Sequence, residues 1–406
     1  MSLKVKKLIM VTGEANHNKY YNLYEVGDGT FRVEYGRVDK TKINESYSMS
    51  MWDKKLREKL KKGYQDVTHL FIEDNGSTAS VTTAQAQITD KTVNSLINDL
   101  QRYANKSITE NYSVSSQKVT QAMVDAAQII LNDINTAMKA GANAKTINDK
   151  LLKLYVTIPR QMKRVQEHLF EDGTAVSVIE KKIVDEQDTL DVMAGQVALN
   201  AANNTSPESK ESTSILDAMG LEIVEGNAND YKIVKKLMEE KADQLVRVYK
   251  VVHKMTQPRF EKCVAKKKNK ATQLFFHGSR NQNWFNILST GLLIRPSCAI
   301  HIGSMFGDSI YGANKARKAI GYTSIRGSYW TNGNDNKAFL GVFEFHIGEQ
   351  KHIYKHDSSC YSLNASKLER EGKDSVYAHG GIDLRNDEFM VYTTEQCTIK
   401  YLIEIK

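Results

Sequence analysis

Three side chains of different chemistry stand out in this chain: an imidazole at His277, a phenol at Tyr322 and a carboxylate at Glu388. His277 follows the apolar run Leu274-Phe275-Phe276 and opens His277-Gly278-Ser279-Arg280. Tyr322 closes a stretch that runs from Met305-Phe306-Gly307-Asp308-Ser309-Ile310-Tyr311 to Ala319-Ile320-Gly321-Tyr322. Glu388 opens the strand-like Phe389-Met390-Val391-Tyr392. Singly, each has a plain structural explanation. A histidine after an apolar strand is usually hydrogen-bonded scaffold, a tyrosine at a helix end is usually core, and a glutamate before a strand is usually surface. Taken together they offer a hydrogen-bonding ring, an aromatic face and a negative charge, three groups that a polar organic substrate can use.

Composition narrows the class. At 406 residues the chain has room for two to four domains. No apolar run reaches the ~18 residues that a membrane span needs, and the N-terminus lacks a signal-peptide core, so a soluble protein without a membrane partner is expected. The four cysteines, Cys263, Cys298, Cys360 and Cys397, are scattered and form no CxxC pair, so no metal site is expected. Free thiols fit a reducing interior: nucleus in a eukaryote, cytoplasm or nucleoid in a bacterial or viral setting. Net charge is +8, which suits either nucleic acid or a solvated lysine-rich surface. The run Lys266-Lys267-Lys268-Asn269-Lys270 has the same two readings, phosphate contact or charged loop. There is no Gly-x-Gly-x-x-Gly between strand and helix and no Gly-Lys-Ser/Thr loop, which excludes a Rossmann dehydrogenase and a P-loop ATPase.

The elements that must position these residues fall into three segments. Residues 1–74 read as mostly strand: Tyr20–Val26, a turn at Gly27-Asp28-Gly29, and the alternating Phe31-Arg32-Val33-Glu34-Tyr35, then a helix from Trp52 to Lys62. A linker is expected over 75–90. Residues 91–200 read as helices. One runs from Lys118 to Ala140 with an apolar stripe of Val119, Met123, Ala126, Ile130, Ile134 and Met138, capped by Ser115 or Ser116 and closed by Gly141. A second starts near Thr146 and stops at Ile158-Pro159, and a third spans Ala175 to Leu199. A second linker is expected over 201–213, then an α+β segment, 214–406, with buried strands at Phe339–His346 and Ile399–Ile405.

With their flanks, His277, Tyr322 and Glu388 resemble the catalytic domain of the poly(ADP-ribose) polymerases, over essentially all of 274–406. The resemblance implies a split β-sheet core, NAD as substrate and no metal. It implies that Gly278 bonds the nicotinamide amide, that Tyr322 stacks on the nicotinamide ring, and that His277 and Ser279 bond ribose hydroxyls. Tyr311 would wall the pocket, and Glu388 would stabilise the ribosyl cation and orient the incoming hydroxyl. Two positions depart from the pattern. Ala319 stands where relatives carry a serine that bonds the nicotinamide carbonyl, and Leu293 stands where an arginine meets the adenosine side, a role Arg295 is expected to take.

Residues 1–74 resemble the WGR module of that family, with Tyr35-Gly36-Arg37 as the signature; the resemblance implies that the ring of Tyr35 packs on the terminal nucleotide of a DNA end or nick and that Arg37 meets phosphate. The helical segment resembles the regulatory domain of the DNA-activated members, and Glu186, Asp188 and Asp191 are expected either to repel NAD from a closed cleft or to form a solvated acidic face. The expected whole is a monomeric, multidomain α+β, DNA-dependent ADP-ribosyltransferase that modifies proteins, itself included. Two alternatives stay open: a DNA-binding scaffold with a degenerate transferase domain, and a mono-ADP-ribosyltransferase acting on nucleic acid ends.

Overall fold

The computed structural model describes residues 3–38, 40, 42–71, 88–111, 119–204, 214–294 and 305–406. The helix caps expected at Ser115 and Ser116, and most of both expected linkers, lie outside these. Contacts divide the chain into two compact units. One unit joins the described residues of 1–80 and 105–197; the other joins those of 81–104, 198–297 and 301–406. Among the described residues no helix is long and apolar enough to cross a membrane.

The first unit opens with an antiparallel sheet. Its strands are β1 (Val5–Thr12), β2 (His17–Glu25), β3 (Thr30–Arg37), β4 (Ile43–Ser48) and β5 (Gln65–Asp66), in the order β4-β3-β2-β1-β5. The β2–β3 turn forms where expected because Gly27 and Gly29 take φ of 93° and 82°, which side chains resist. In β3 the alternation places Phe31 and Val33 inward and Arg32 outward. Helix α1 (Trp52–Lys61) lays Trp52 edge-on against Phe31 at 5.1 Å, closing a core with Leu8, Tyr21 and Leu23.

Helices follow: α2 (Lys91–Asn111), α3 (Gln121–Lys139), α4 (Ala144–Thr157) and α5 (Val176–Asn204). Thr120 caps α3 by accepting from the Met123 N–H, and Asn143 caps α4 by accepting from the Thr146 N–H. The buried face of α3 is Met123, Ala127, Leu131, Ile134 and Met138, so the expected stripe is corrected at Ala126 and Ile130, which are only partly buried. Both templates fit the 3.6-residue period, and only packing against the rest of the unit chooses between them. Helix α5 continues to Asn204, so the expected linker at 201–213 starts inside a helix. The divisions between units fall within α2 and α5, and the first two thirds of α2 belong with the C-terminal unit. There Asp99 accepts from the Lys337 ammonium at 2.6 Å, and Lys337 also pairs with Glu404 at 3.5 Å.

The second unit is the α+β fold that positions the site. Its elements are α6 (Ile215–Ala218), β6 (Leu221–Glu225), α7 (Ala228–Met238), β7 (Leu245–His253), α8 (Thr256–Ala265), β8 (Thr272–Gly278), α9 (Trp284–Thr290), β9 (Ile310–Gly312), α10 (Ala316–Ile320), β10 (Ala338–His346), β11 (Gln350–Ile353), α11 (Ala365–Arg370), β12 (Ser375–Ala378), β13 (Glu388–Val391) and β14 (Cys397–Ile405). They form two sheets, β6-β7-β14-β10-β8 and β11-β12-β13-β9. Only Glu344 of β10 escapes burial, as its near-continuous apolar sequence requires of a central strand. The sheets meet where Phe276 and Ala313 exchange backbone hydrogen bonds of 2.8 and 2.9 Å. That junction sets the end of β8 beside the end of β9.

Candidate active site

His277 occupies the penultimate position of β8, opposite Gly341 of β10. Its ring sits edge-on between Trp284 and Phe343, with centroids at 6.4 and 6.0 Å, and its Nδ1 lies 3.2 Å from the carbonyl oxygen of Tyr311. Enclosure pushes the imidazole below its ordinary pKa, opposed by the bond to that carbonyl. The tautomer follows, since a carbonyl only accepts. Nδ1 carries the proton, and Nε2 of the neutral ring is left as an acceptor for a substrate hydroxyl.

Beyond His277 the chain turns at Gly278, where a Cβ would stand 1.9 Å from the Ala319 carbonyl oxygen. Only glycine lets β8 close on the end of α10. The following loop is tied down by Asn281, fully buried, whose N–H donates to Ser324 Oγ at 2.9 Å while its amide donates to Asp335 and to the Lys337 carbonyl, each at 2.9 Å. Ser279, expected to meet a ribose, accepts from the Asn283 amide at 3.0 Å. Nothing in the pattern around His277 had pointed to Asn281 or Asn283.

Strand β13 presents Glu388 at its first position, paired to Ala378 of β12, while Met390 pairs with Tyr311 of β9. Tyr311 is a scaffold residue as well as a wall: its hydroxyl accepts from the Phe306 N–H at 3.0 Å, and the Tyr392 hydroxyl donates to the Phe306 carbonyl at 2.7 Å. These bonds hold Met305-Phe306-Gly307, and Gly307 is required because its φ is 72° and a Cβ would lie 2.1 Å from the Leu363 carbonyl oxygen. The carboxylate of Glu388 is met by Lys318 of α10, whose ammonium lies 2.5 Å from Oε1 and 3.3 Å from the Asp387 carbonyl. Both partners are largely covered, with side-chain exposures of 13% and 15%. Burial lowers the Lys318 pKa, and Glu388 works against the fall. The sequence carries 56 lysines and arginines, and no local signal separates this one from the rest.

Asp387 anchors the strand start. It accepts from the Gly380 N–H at 2.9 Å, the Tyr377 hydroxyl at 3.0 Å and the Asn314 amide at 3.3 Å. Burial alone would raise this carboxyl, but the three donors outweigh it and hold the group below its ordinary value.

Tyr322 follows α10, and its N–H donates to the Ala319 carbonyl at 3.0 Å. Burial, then the charge of Glu388, pushes the phenol up to about 12, which keeps it neutral. One face of its ring is stacked by Trp330 at 5.9 Å and 22°, a partner that no local pattern announces. Trp330 and its neighbour Tyr329 are exposed by 53% and 73%. Ala319 is 2% exposed within the apolar cluster of Phe276, Ala316 and Leu340. Arg295 lies outside the described residues.

The residues expected to meet DNA take scaffold positions. Tyr35 is half-buried on the α1 face of its sheet, tilted against Tyr21 at 5.6 Å, and its hydroxyl donates to Glu45 at 2.7 Å. Gly36 pairs with Tyr20. Arg37 donates to the carbonyls of Asn16 at 2.7 Å, Met162 at 3.1 Å and Lys163 at 3.0 Å. Asn16 Oδ1 accepts from the Val165 N–H at 2.9 Å, and the Asn18 amide donates to the Arg160 carbonyl at 3.0 Å. These bonds strap residues 160–165 onto the sheet. In this arrangement Tyr35 packs within its own sheet and Arg37 clamps the strap.

The acidic trio of α5 is also redistributed. Glu186 is 2% exposed and takes both oxygens to Arg160, at 2.6 and 2.7 Å, with Lys182 at 3.0 Å. It is a buried ion pair of its own unit and is removed from the expected acidic face. Asp188 and Asp191 are half-buried, and Asp191 accepts from Gln187 at 3.0 Å.

Comparison with known proteins points the same way as the C-terminal geometry. Residues 228–406 match the poly(ADP-ribose) polymerase catalytic domain. The "Uncharacterized protein 101L" of Invertebrate iridescent virus 6 is 36% identical over 198 residues, 49% of this chain and 80% of its own. The "Putative poly [ADP-ribose] polymerase-like 100L" of the same virus is 31% identical over 170 residues, 41% of this chain and 88% of its own. Poly [ADP-ribose] polymerase 1 of Gallus gallus is 22% identical over 319 residues, 71% of this chain and 30% of its own. That share is more than residues 228–406 can supply, so the likeness continues upstream of the matched domain.

Proposed function

Because the chain belongs to the poly(ADP-ribose) polymerase family, we propose that its C-terminal unit is an NAD-dependent ADP-ribosyltransferase worked by His277, Tyr322 and Glu388. NAD is the substrate. The bond from the ribose C1′ to the nicotinamide nitrogen breaks, and nicotinamide leaves with the electron pair. An acceptor hydroxyl or carboxylate forms the new bond to C1′, releasing any proton it carried. The observation that carries this reading is the half-buried Glu388 carboxylate held by Lys318. Its charge is fixed in place before the cation develops, so little reorganisation is needed at the moment of reaction. Neutral His277, accepting at Nε2, holds a ribose hydroxyl, and the face of Tyr322 turned away from Trp330 receives the nicotinamide.

The finer reading is that transfer goes to protein, itself included, and that DNA ends or nicks raise its rate. The upstream likeness to the chicken polymerase and the net charge of +8 support it. Sensing would run through the strap at residues 160–165, which ties the N-terminal sheet to α5 through Arg160 and Glu186. Incubation with labelled NAD, with and without nicked DNA, followed by separation of protein from nucleic acid, tests both parts. Label on the chain that rises with DNA supports the reading. Label on the DNA itself would move the assignment to a nucleic-acid-end transferase. Glu388→Gln should lower nicotinamide release by ~10²–10³, and activity within threefold of the parent would remove Glu388 from the mechanism.

A further inference from the structure

The same unit contains a cleft of about 530 Å³, lined from α8, α11 and the turn after β13. Glu388 begins β13 and Tyr392 follows its end, so the cleft and the catalytic carboxylate are separated by ~13 Å of strand. Its volume lies in the range of about 300–1,000 Å³ that holds small ligands.

Its charge needs explaining. Arg259, Lys262, Cys263 and Lys266 fall at positions i, i+3, i+4 and i+7 of one helix and all line the cleft, and Lys373 faces them from beyond α11. Among the described residues none of these four cations makes a side-chain hydrogen bond or ion pair, whereas neighbouring Lys267 is taken by Asp374 at 2.7 Å. Like charges one turn apart on a helix destabilise it. The helix C-terminus offsets that for Lys266, but Arg259 lies in the first turn of α8, where the helix dipole disfavours a cation. Three carboxylates, Glu369, Asp374 and Glu395, line the same cleft without pairing to these four cations, Asp374 being taken by Lys267. The wall behind is apolar, with Leu368 1% exposed and Tyr392 5%.

We propose that this cleft is a binding site for a ribonucleoside diphosphate, separate from the NAD site and independent of the function assigned to it. From Arg259 to Lys266 the helix rises ~10 Å, the span of a diphosphate with its sugar rather than of an extended nucleic acid backbone. The guanidinium and the ammonium groups match the phosphate oxygens, and the paired neighbour Lys267 closes one side. Glu369 and Glu395 repel a long polyanion but accept hydrogen bonds from ribose hydroxyls.

The test is calorimetric titration of the full chain with ADP, inorganic pyrophosphate and adenosine, in the parent, in Arg259→Ala/Lys262→Ala/Lys266→Ala and in His277→Ala. The parent should bind ADP in two classes. The triple variant should lose one class by ~30-fold or more, since a hydrogen bond to a charged group is typically worth about a tenfold factor or more, with NAD-driven nicotinamide release within twofold of the parent. His277→Ala should spare that class, pyrophosphate should compete for it, and adenosine should not. Should the triple variant fail to fold, Lys373→Ala alone is expected to weaken the same class by ~5–10-fold. A single ADP class abolished by His277→Ala, or a class left intact in the triple variant or, failing that, in Lys373→Ala, overturns the proposal. A single-stranded oligonucleotide that displaces ADP more tightly than pyrophosphate does would also overturn it, in favour of a polyanion surface.

Discussion

At the scale of single residues, the site depends on contacts shorter than a side chain can adjust. Gly278→Ala would drive a methyl group into the Ala319 carbonyl, so the variant should lose NAD binding together with several degrees of melting temperature, measured side by side by calorimetry and by thermal scan. Lys318→Met leaves Glu388 half-buried without its cation; nicotinamide release should fall at least tenfold while NAD affinity changes by less than threefold. An equal fall in affinity would make Lys318 a substrate ligand instead. His277 carries a pH signature. Burial holds its folded pKa below the unfolded value of about 6.5, so the unfolded chain takes up the proton first. Stability is then full above pH ~6.5 and declines as pH falls toward the folded value, whereas NAD affinity falls only as pH passes through the folded value itself. His277→Gln should remove this limb from the pH dependence of the Michaelis constant. Trp330 covers one face of Tyr322; Trp330→Ala should weaken nicotinamide-type inhibitors by ~2–10-fold, the worth of one aromatic pair.

At the scale of elements, the strap at residues 160–165 is held from both sides. Arg37, Asn16 and Asn18 fix it to the sheet, and Arg160 fixes it to α5 through Glu186. Removing one partner of a buried ion pair costs ~3–5 kcal/mol because the other charge is stranded. Glu186→Gln should therefore lower the denaturation midpoint of the first unit far more than Glu180→Gln, a change at an exposed carboxylate of the same helix. His168 reports on the same knot. Burial, then the charges of Arg160 and Lys182, lowers its pKa to about 4. The sign is that of a depressed group: its contribution is complete above pH ~6.5 and is lost between there and about 4. Urea midpoints measured across that interval in the parent and in His168→Gln should converge at the acid end.

At the scale of the whole molecule, the question is whether binding at the N-terminal unit changes the rate at the C-terminal one. A ligand shifts a conformational equilibrium only as far as it prefers one state. If DNA acts through the strap, Arg37→Ala should raise the DNA-free rate of nicotinamide release and reduce the stimulation by nicked DNA. A closed state favoured 99 to 1 sets a ceiling of ~100-fold on the rise. An unchanged DNA-free rate with unchanged stimulation would confine Arg37 to a structural role.

The candidate site residues stand out in the sequence because they lie in short contiguous runs. His277-Gly278-Ser279, Tyr311, Tyr322 and Glu388 are each framed by an apolar strand or a helix end whose period or turn glycine shows locally. The alternation of β3, the glycines after β2 and the unbroken apolar run of β10 belong to the same class of signal. What the sequence could not determine is which polar group meets which. Lys318 finds Glu388 across 70 positions, Arg160 finds Glu186 across 26, and Arg37 reaches the carbonyl of Lys163 across 126. An exposed and a buried carboxylate are written with the same letter. Local periodicity fixes the face a residue takes on its own element, whereas the partner on the next element, and with it the choice between a substrate contact and a scaffold bond, is set only when the elements pack.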